Sequence, residues 1–334
     1  MKIFGVTAGR KMGNTEILLR EAFLAAEELG AEVEMVNLHD VKIVPCDGCE
    51  SCTIKVTRGG RPRCVYKGKD DMDLIMDKFL KADGIIVSVP CFVLQPQGIY
   101  KVFIDRWLPY EVALLLEAKI IDKAPQRVGA VITAGGSTQN WMSLTLPALQ
   151  ISMFMQSIKV VDQMMATRVA RPGHVVLKPE LLERARTLGR NVVQAIQTPY
   201  DQVKWLGDPN EGWCPVCHSN LMMQGKPHWD GTAYDIECAM CGAGGSLKVE
   251  EGKAVFVLAS NGLEHCRIFS EGRKNHFYEI METQKQAFQN LANIKAGCEK
   301  YKNHAVPVVK SAADQHGKRG RAGLPAPRAS LRKQ

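Results

Sequence analysis

From Lys2 to Ile196 the chain alternates short apolar runs with amphipathic stretches. Lys2–Val6 is a short apolar run and predicts a strand. Glu16–Leu29 places Leu18, Ala22, Ala25 and Leu29 at i, i+4, i+7 and i+11, one face of a helix, with Gly30 where a C-cap belongs. Glu32–Asn37 alternates as a second strand, Asp71–Ala82 is an amphipathic helix, and Gly84–Val89 is a continuous apolar run closed by Pro90. The rhythm continues with a helix from about Gly98 to Leu108, a strand at Arg127–Thr133, a helix at Trp141–Gln156, a strand near Lys159–Gln163 and a helix at Glu180–Ile196. Apolar strand interiors alternating with helices predict an α/β domain with a parallel sheet covered on both faces. Ligands of such sheets sit at the carboxyl ends of the strands. Three segments converge there: Thr7–Thr15, Pro90–Lys101 and Ala134–Asn140.

Farther on, Phe277, Met281, Phe288, Leu291 and Ile294 form an apolar stripe, which predicts a helix over Phe277–Tyr301 that docks on its own domain or on a partner subunit. With 334 residues, 46% hydrophobic and 23% charged, two domains and a tail are expected. The expected boundaries are 1–200, 201–262, 263–310 and 311–334. The formal charge of +8 is concentrated at the end: residues 311–334 hold six Lys/Arg against Asp314, a net +5. That Gly-, Pro- and Arg-rich stretch reads as a disordered tail, which argues against a nucleic-acid-binding face. No apolar run approaches 18 residues, so no membrane-spanning helix is expected. MKIFGVTAGR enters a strand and turn directly, with no signal peptide before them, and the expectation is a cytoplasmic protein.

The 11 cysteines carry the sharpest signals. Cys46, Cys49, Cys52 and Cys64 form C-x2-C-x2-C-x11-C within 44–71. Three thiols at every third position can wrap a compact inorganic core, the usual supply for an iron–sulfur cluster, and [4Fe–4S] is the first expectation. A single zinc ion, or thiols without metal, are the alternatives. Cys214, Cys217, Cys238 and Cys241 form C-x2-C-x20-C-x2-C, two knuckles of a zinc ribbon. Structural Zn2+ is expected there, although tetrahedral sulfur also suits iron. His218 beside Cys217 could substitute as a ligand, but with four thiolates present a hydrogen-bonding or exposed role is expected, whereas Cys266 and Cys298 read as isolated thiols and His39, His174 and His276 have no evident partner.

The first converging segment, TAGRKMGNT, offers backbone N–H groups at a helix start, hydroxyls and two cations, the makings of a phosphate site. It matches neither a triphosphate loop nor G-x-G-x-x-G, which favours a monophosphate. It resembles the GSPRKNGNT loop of the NADPH-dependent FMN reductase and iron–sulfur flavoprotein families at Arg10, Lys11, Gly13, Asn14 and Thr15. It departs at Thr7, Ala8 and Gly9, and Thr7 stands in for the missing serine hydroxyl. PCFVLQPQGIYKVFIDR (Pro90–Arg106) is similar to the family's PVYFGSISGQLKAFIDR, with Leu94 and Gln95 in place of Gly-Ser. TAGGS (Thr133–Ser137) is similar to its glycine-rich stretch, and Lys69–Met72 to the DDM helix start that follows the family's cysteine motif.

The resemblance implies a flavodoxin-like, doubly wound, five-stranded domain, here followed by a zinc-ribbon β module and a C-terminal helix. It implies FMN, with Thr7, Arg10, Lys11, Gly13, Asn14 and Thr15 at the phosphate. Pro90, Cys91, Phe92, Val93, Leu94, Ala134, Gly135 and Gly136 would frame the ring. It also implies ferredoxin or NAD(P)H as electron donor and a homodimer or tetramer. Lys101, Asp105 and Arg106 read as an internal ion-pair network. Three functions follow: an iron–sulfur flavoprotein passing electrons through FMN, an NAD(P)H-dependent flavin or quinone reductase without a cluster, or a redox-responsive zinc-ribbon scaffold.

Overall fold

The computed structural model describes residues 1–208, 212–302 and 304–307. The basic stretch 311–334 lies outside them. The contacts divide the chain into two compact units, Met1–Glu279 and Ile280–Gln334.

The first unit opens with β1 (Lys2–Thr7), α1 (Asn14–Glu27) and β2 (Glu32–Asn37), and then a long excursion that holds the short α2 (Ser51–Thr57). It returns through α3 (Met72–Lys81), β3 (Gly84–Phe92), a two-residue strand β4 (Gln95–Pro96), α4 (Gly98–Asp105) and α5 (Val112–Glu117). The sheet closes with β5 (Arg127–Ala134), α6 (Thr145–Met155), β6 (Ile158–Ala166) and α7 (Pro179–Gln197). Five strands pair in parallel in the order β2-β1-β3-β5-β6, the flavodoxin-like order, and β4 folds back antiparallel on β3 as a sixth strand.

Side chains alternate across this sheet and build a core on each face. Ile3, Ile86, Ala130 and Ile132 meet Leu18, Leu19 and Ala22 of α1 and Leu188 and Val192 of α7. Phe4, Val6, Ile85 and Val87 meet Met76 and Phe79 of α3, Phe103 of α4 and Leu149 and Met153 of α6. Each buried Leu, Ile or Phe stabilises the fold by about 1.5–3 kcal/mol. α1 and α7 touch backbone to backbone at Gly189, where a Cβ would lie 2.0 Å from the Ala22 carbonyl oxygen. Leu29, expected on the buried face of α1, is 47% exposed because the helix ends before it, and Gly30 turns the chain at φ +82°.

A second, antiparallel sheet follows in the order β10-β9-β8-β7, from β7 (Met222–Gln224), β8 (Ile236–Cys238), β9 (Gly244–Glu250) and β10 (Lys253–Leu258). The region 201–262 packs on α6 of the larger sheet: Phe154 clusters with Met240, Phe256 and the ribbon cysteines. The predicted helix Phe277–Tyr301 is two helices, α8 (Ser270–Gln289) and α9 (Leu291–Lys302), interrupted at Asn290. In the second unit Ile280, Met281, Phe288, Leu291 and Ile294 are exposed. No described helix is long and apolar enough to cross a membrane.

Candidate functional site

The carboxyl edge of the parallel sheet is built from three loops that touch. β1 runs out at Thr7, which is fully buried and whose hydroxyl accepts the Gly9 N–H at 3.4 Å. The Gly13 N–H bonds the Arg10 carbonyl at 2.8 Å, and a Cβ on Gly13 would stand 2.8 Å from that same oxygen, so only glycine fits the turn. Gly13 is also the N-cap of α1 and supplies no side-chain acceptor. The first-turn N–H groups are therefore left for an anion, the usual opportunity at a helix start. Arg10 and Lys11 are exposed above them. Glu16 lies in that first turn, where a carboxylate would compete with a phosphate, but Arg20 donates to it at 2.8 and 3.0 Å and neutralises it.

The cradle is held from beneath. The Asn37 carboxamide donates to the Gly9 carbonyl at 3.0 Å, His39 meets the Ala8 carbonyl at 2.9 Å, and the Ser88 hydroxyl donates to the Thr15 carbonyl at 2.7 Å. His39, without a partner in the sequence reading, thus has one. Asn14 is engaged elsewhere: it donates to the carbonyls of Val169 and Arg171 at 2.9 Å and accepts from the Val175 N–H at 3.0 Å. Its side chain ties α1 to the loop after β6, so only its backbone N–H faces the cradle as a donor.

The second loop is a hairpin absent from the sequence reading. Phe92 pairs with Gln95 and Cys91 with Pro96, leaving Val93 (φ 49°) and Leu94 (φ 68°) as a two-residue turn with both central residues left-handed. Glycine or asparagine normally signals such a turn, and here neither is present. A β-branched residue at positive φ costs on the order of 1–3 kcal/mol and such strain concentrates at functional sites. Val93 is 94% exposed, with Phe92 and Leu94 also open to solvent.

The third loop begins where Gly135 bonds Ala166 at 3.0 Å and Val169 at 2.9 Å. A Cβ on Gly135 would meet the Met142 sulfur at 2.8 Å and the Cys91 Cβ at 3.4 Å, while one on Gly9 would lie 3.8 Å from Pro90. Loops one and two therefore lie close at Gly9 and Pro90, and loops two and three at Cys91 and Gly135, where the Cys91 thiol also reaches the Trp141 carbonyl at 3.6 Å. An anion cradle with cations at one end, and an apolar hairpin facing glycines at the other, match in donor set and polarity the phosphate and ring of a flavin mononucleotide.

The cysteine excursion leaves the same edge, from the end of β2. Its stem is clamped: Asp71 accepts the Lys42 N–H at 2.8 Å and Asp70 the Val44 N–H at 2.9 Å. Arg106, fully buried, donates to Asp70 at 2.6 Å and to the Val44 carbonyl at 2.5 Å. Burial works against the Asp70 charge, but Arg106 and the N–H groups of Val44 and Met72 outweigh it and hold the carboxyl below its ordinary range. The Lys101–Asp105 pair is separate and exposed, so the expected network is two unconnected pairs. Cys46 and Cys49 are exposed, and Cys52 and Cys64 are half-buried. Burial raises the Cys52 thiol, and the neighbouring Cys64 and Cys46 raise it further, which puts these sulfurs within electrostatic reach of one another. Cys64 also accepts the Tyr66 N–H at 3.4 Å and lies beside the Arg106 guanidinium.

The ribbon cysteines are gathered outright. All four are buried with their sulfurs within 4.8 Å of one another, the one such group of metal-ligating side chains among the described residues. The knuckles are built alike: the His218 N–H bonds Cys214 and the Gly242 N–H bonds Cys238, both at 2.9 Å, and both residues are left-handed (φ 57° and 77°). Four buried thiols at this spacing fit one tetrahedral metal ion. His218 is turned to stack on Trp205 at 4.1 Å. Cys266, isolated in the sequence, is fully buried beside Cys241 as a fifth sulfur in this core. His265 next to it stacks on His228 at 3.8 Å and meets Asp230 at 3.2 Å.

A family model described as NADPH-dependent FMN reductase matches residues 1–170. The chain is 29% identical over 297 residues to a flavone synthase of Aspergillus candidus, covering 84% of this chain and 88% of the relative. It is 29% identical over 205 residues to an iron–sulfur flavoprotein of Methanocaldococcus jannaschii, covering 59% of this chain and 98% of that one. A solved structure named flavone reductase superposes with a TM-score of 0.74 at 26% identity, covering 93% of this chain and all of that one. The chain belongs to the NADPH-dependent FMN reductase family, which it shares with the iron–sulfur flavoproteins, and is an FMN-dependent oxidoreductase.

Proposed function

We propose that this oxidoreductase carries FMN on the three touching loops, an iron–sulfur cluster on the excursion after β2 and zinc in the ribbon. The observation that supports the reading is the close approach of Pro90 to Gly9 and of Cys91 to Gly135, which brings three distant segments side by side. Thr7, Gly13 and the backbone N–H groups of Asn14 and Thr15 would hold the phosphate, with Arg10 and Lys11 balancing its charge. Pro90 to Leu94 and Ala134 to Gly136 would border the ring. Bound FMN supplies one- and two-electron chemistry; the chain's part is to place it and limit its access to water. The thiolates of Cys46, Cys49, Cys52 and Cys64 would hold [4Fe–4S], a one-electron carrier, at the same edge. Cys214, Cys217, Cys238 and Cys241 would hold Zn2+, a closed site with a folding role.

The electron donor is NAD(P)H or a ferredoxin, and the protein acts as a homodimer or tetramer. A small organic compound, rather than a second protein, is the other electron-exchange partner. The two relatives named for flavones support this, because a match of 297 residues exceeds Met1–Asp208 and includes ribbon residues.

The test is anaerobic mixing of the FMN-loaded protein with NADPH or with reduced ferredoxin while flavin absorbance is followed. Rapid bleaching by NADPH identifies a reductase that needs no cluster for entry of electrons. Bleaching by ferredoxin alone, lost in Cys52→Ser, identifies the cluster as the entry point. A protein that takes up FMN but is bleached by neither donor contradicts the reading.

A further inference from the structure

A cleft of 530 Å³ opens beside the third loop, at Gln139 and Ser143, and runs between α6, the end of β6 and the first ribbon knuckle. Its volume lies in the range of small-molecule sites, about 300–1,000 Å³. Leu146, Pro147, Met164 and Met165 give it an apolar lining, and Trp213, half-exposed, lines it from the knuckle. Polar groups sit between these surfaces and are fixed in place. Gln150, 1% exposed, donates to Gln163 at 2.5 Å, and Gln163 in turn donates to the His218 carbonyl of the knuckle at 3.3 Å. Arg184 also lines the cleft, but Asp162 and the Gln163 carbonyl hold its guanidinium, so among the described residues the cleft's one Lys/Arg side chain is already engaged. Apolar side chains, a half-exposed indole and carboxamides match a planar ring compound bearing hydroxyl or carbonyl oxygens.

The roof is shaped by the metal site. The Trp213 and Cys214 N–H groups bond the Ser219 carbonyl at 3.0 and 3.1 Å, so the turn that presents Trp213, Ser219 and Asn220 to the cleft is the turn that presents Cys214 and Cys217. The geometry points to this cleft as the binding site for a planar, oxygen-bearing aromatic substrate, roofed by the metal-loaded knuckle. The assignment rests on the FMN-dependent reading above and gives the ribbon a role in the reaction.

Isothermal titration calorimetry of the full, FMN-loaded chain with 5,7-dihydroxyflavone tests it, with FMN content measured in the same samples. Ser143 stands exposed at the mouth and Trp213 lies half-exposed, so Ser143→Trp and Trp213→Ala leave the core intact. The native chain binds the probe, Trp213→Ala binds about 10-fold more weakly, and Ser143→Trp gives no measurable heat, all at equal FMN content. Absence of binding by the native chain, or undiminished binding in Ser143→Trp, overturns the site, and undiminished binding in Trp213→Ala overturns the role of the knuckle. Lack of FMN in the native protein contradicts the flavin reading instead, and the heats still decide the cleft.

Discussion

Cys214, Cys217, Cys238 and Cys241 are buried with their sulfurs within 4.8 Å of one another, whereas Cys46 and Cys49 are exposed and Cys52 and Cys64 half-buried. The difference lies in what positions each thiol. In the ribbon, each pair shares a tight turn closed by its own N–H bond, and β8 brings the turns together, so the chain alone builds a cage of one ion's size. In the excursion, Gly48 and Glu50 are left-handed, α2 is only seven residues long, and the firm attachments are at the stem through Asp70, Asp71 and Arg106. A cluster is larger than an ion and spaces its thiolates more widely, so it would organise this loop rather than fill a finished cage.

The largest expected effect breaks the ribbon. Cys238→Ser removes a ligand from a closed site whose metal binding is worth about 10–16 kcal/mol in small zinc domains. Loss of the metal and of the cooperative melting of the ribbon should follow, read by metal analysis and circular dichroism. Cys52→Ser should remove iron absorbance while lowering stability by no more than about 1 kcal/mol, the effect of an ordinary single substitution. Equal destabilisation by the two variants would erase the contrast. Next comes the stem: Asp70→Asn strands the buried Arg106 and should cost about 3–5 kcal/mol in chemical denaturation, with loss of iron.

A smaller effect, of opposite sign, is expected at Glu111. Burial pushes its carboxyl from 4.5 up to about 7, opposed by Arg273 and His276. The folded state thus holds a proton that the unfolded chain releases, and stability falls as pH rises from about 4.5 to 7. At about 1.4 kcal/mol per pH unit, Glu111→Gln should stabilise by at most ~3 kcal/mol at pH 8 and by nearly nothing at pH 4. Parallel denaturation curves at the two pH values check it. The smallest change is Lys101→Ala, which removes an exposed i, i+4 pair and should alter stability by less than about 1 kcal/mol.

The doubly wound fold was legible because periodicity reports burial. Glu32–Asn37 coincides with β2, and the other main elements of the parallel sheet deviate by a few residues at their ends. The gathering of the four ribbon cysteines was legible from spacing. What escaped depends on tertiary contacts. The Val93–Leu94 turn has no glycine to announce it, and the surrounding loops hold it in place. Asn14 looked like a phosphate donor until its bonds to residues 169–175 were visible. Cys266 lies 25 positions beyond Cys241 and joins its core only through folding. The cleft draws on residues from 139 to 221, and no local pattern marks it.

The measurement that tests the central claim most directly is quantification of FMN, iron and zinc in anaerobically purified protein, native and Cys52→Ser. The account predicts about one FMN, four irons and one zinc per native chain, with iron alone lost in the variant. FMN and zinc without iron in the native chain would contradict the cluster, and absence of FMN would contradict the site formed by the three loops.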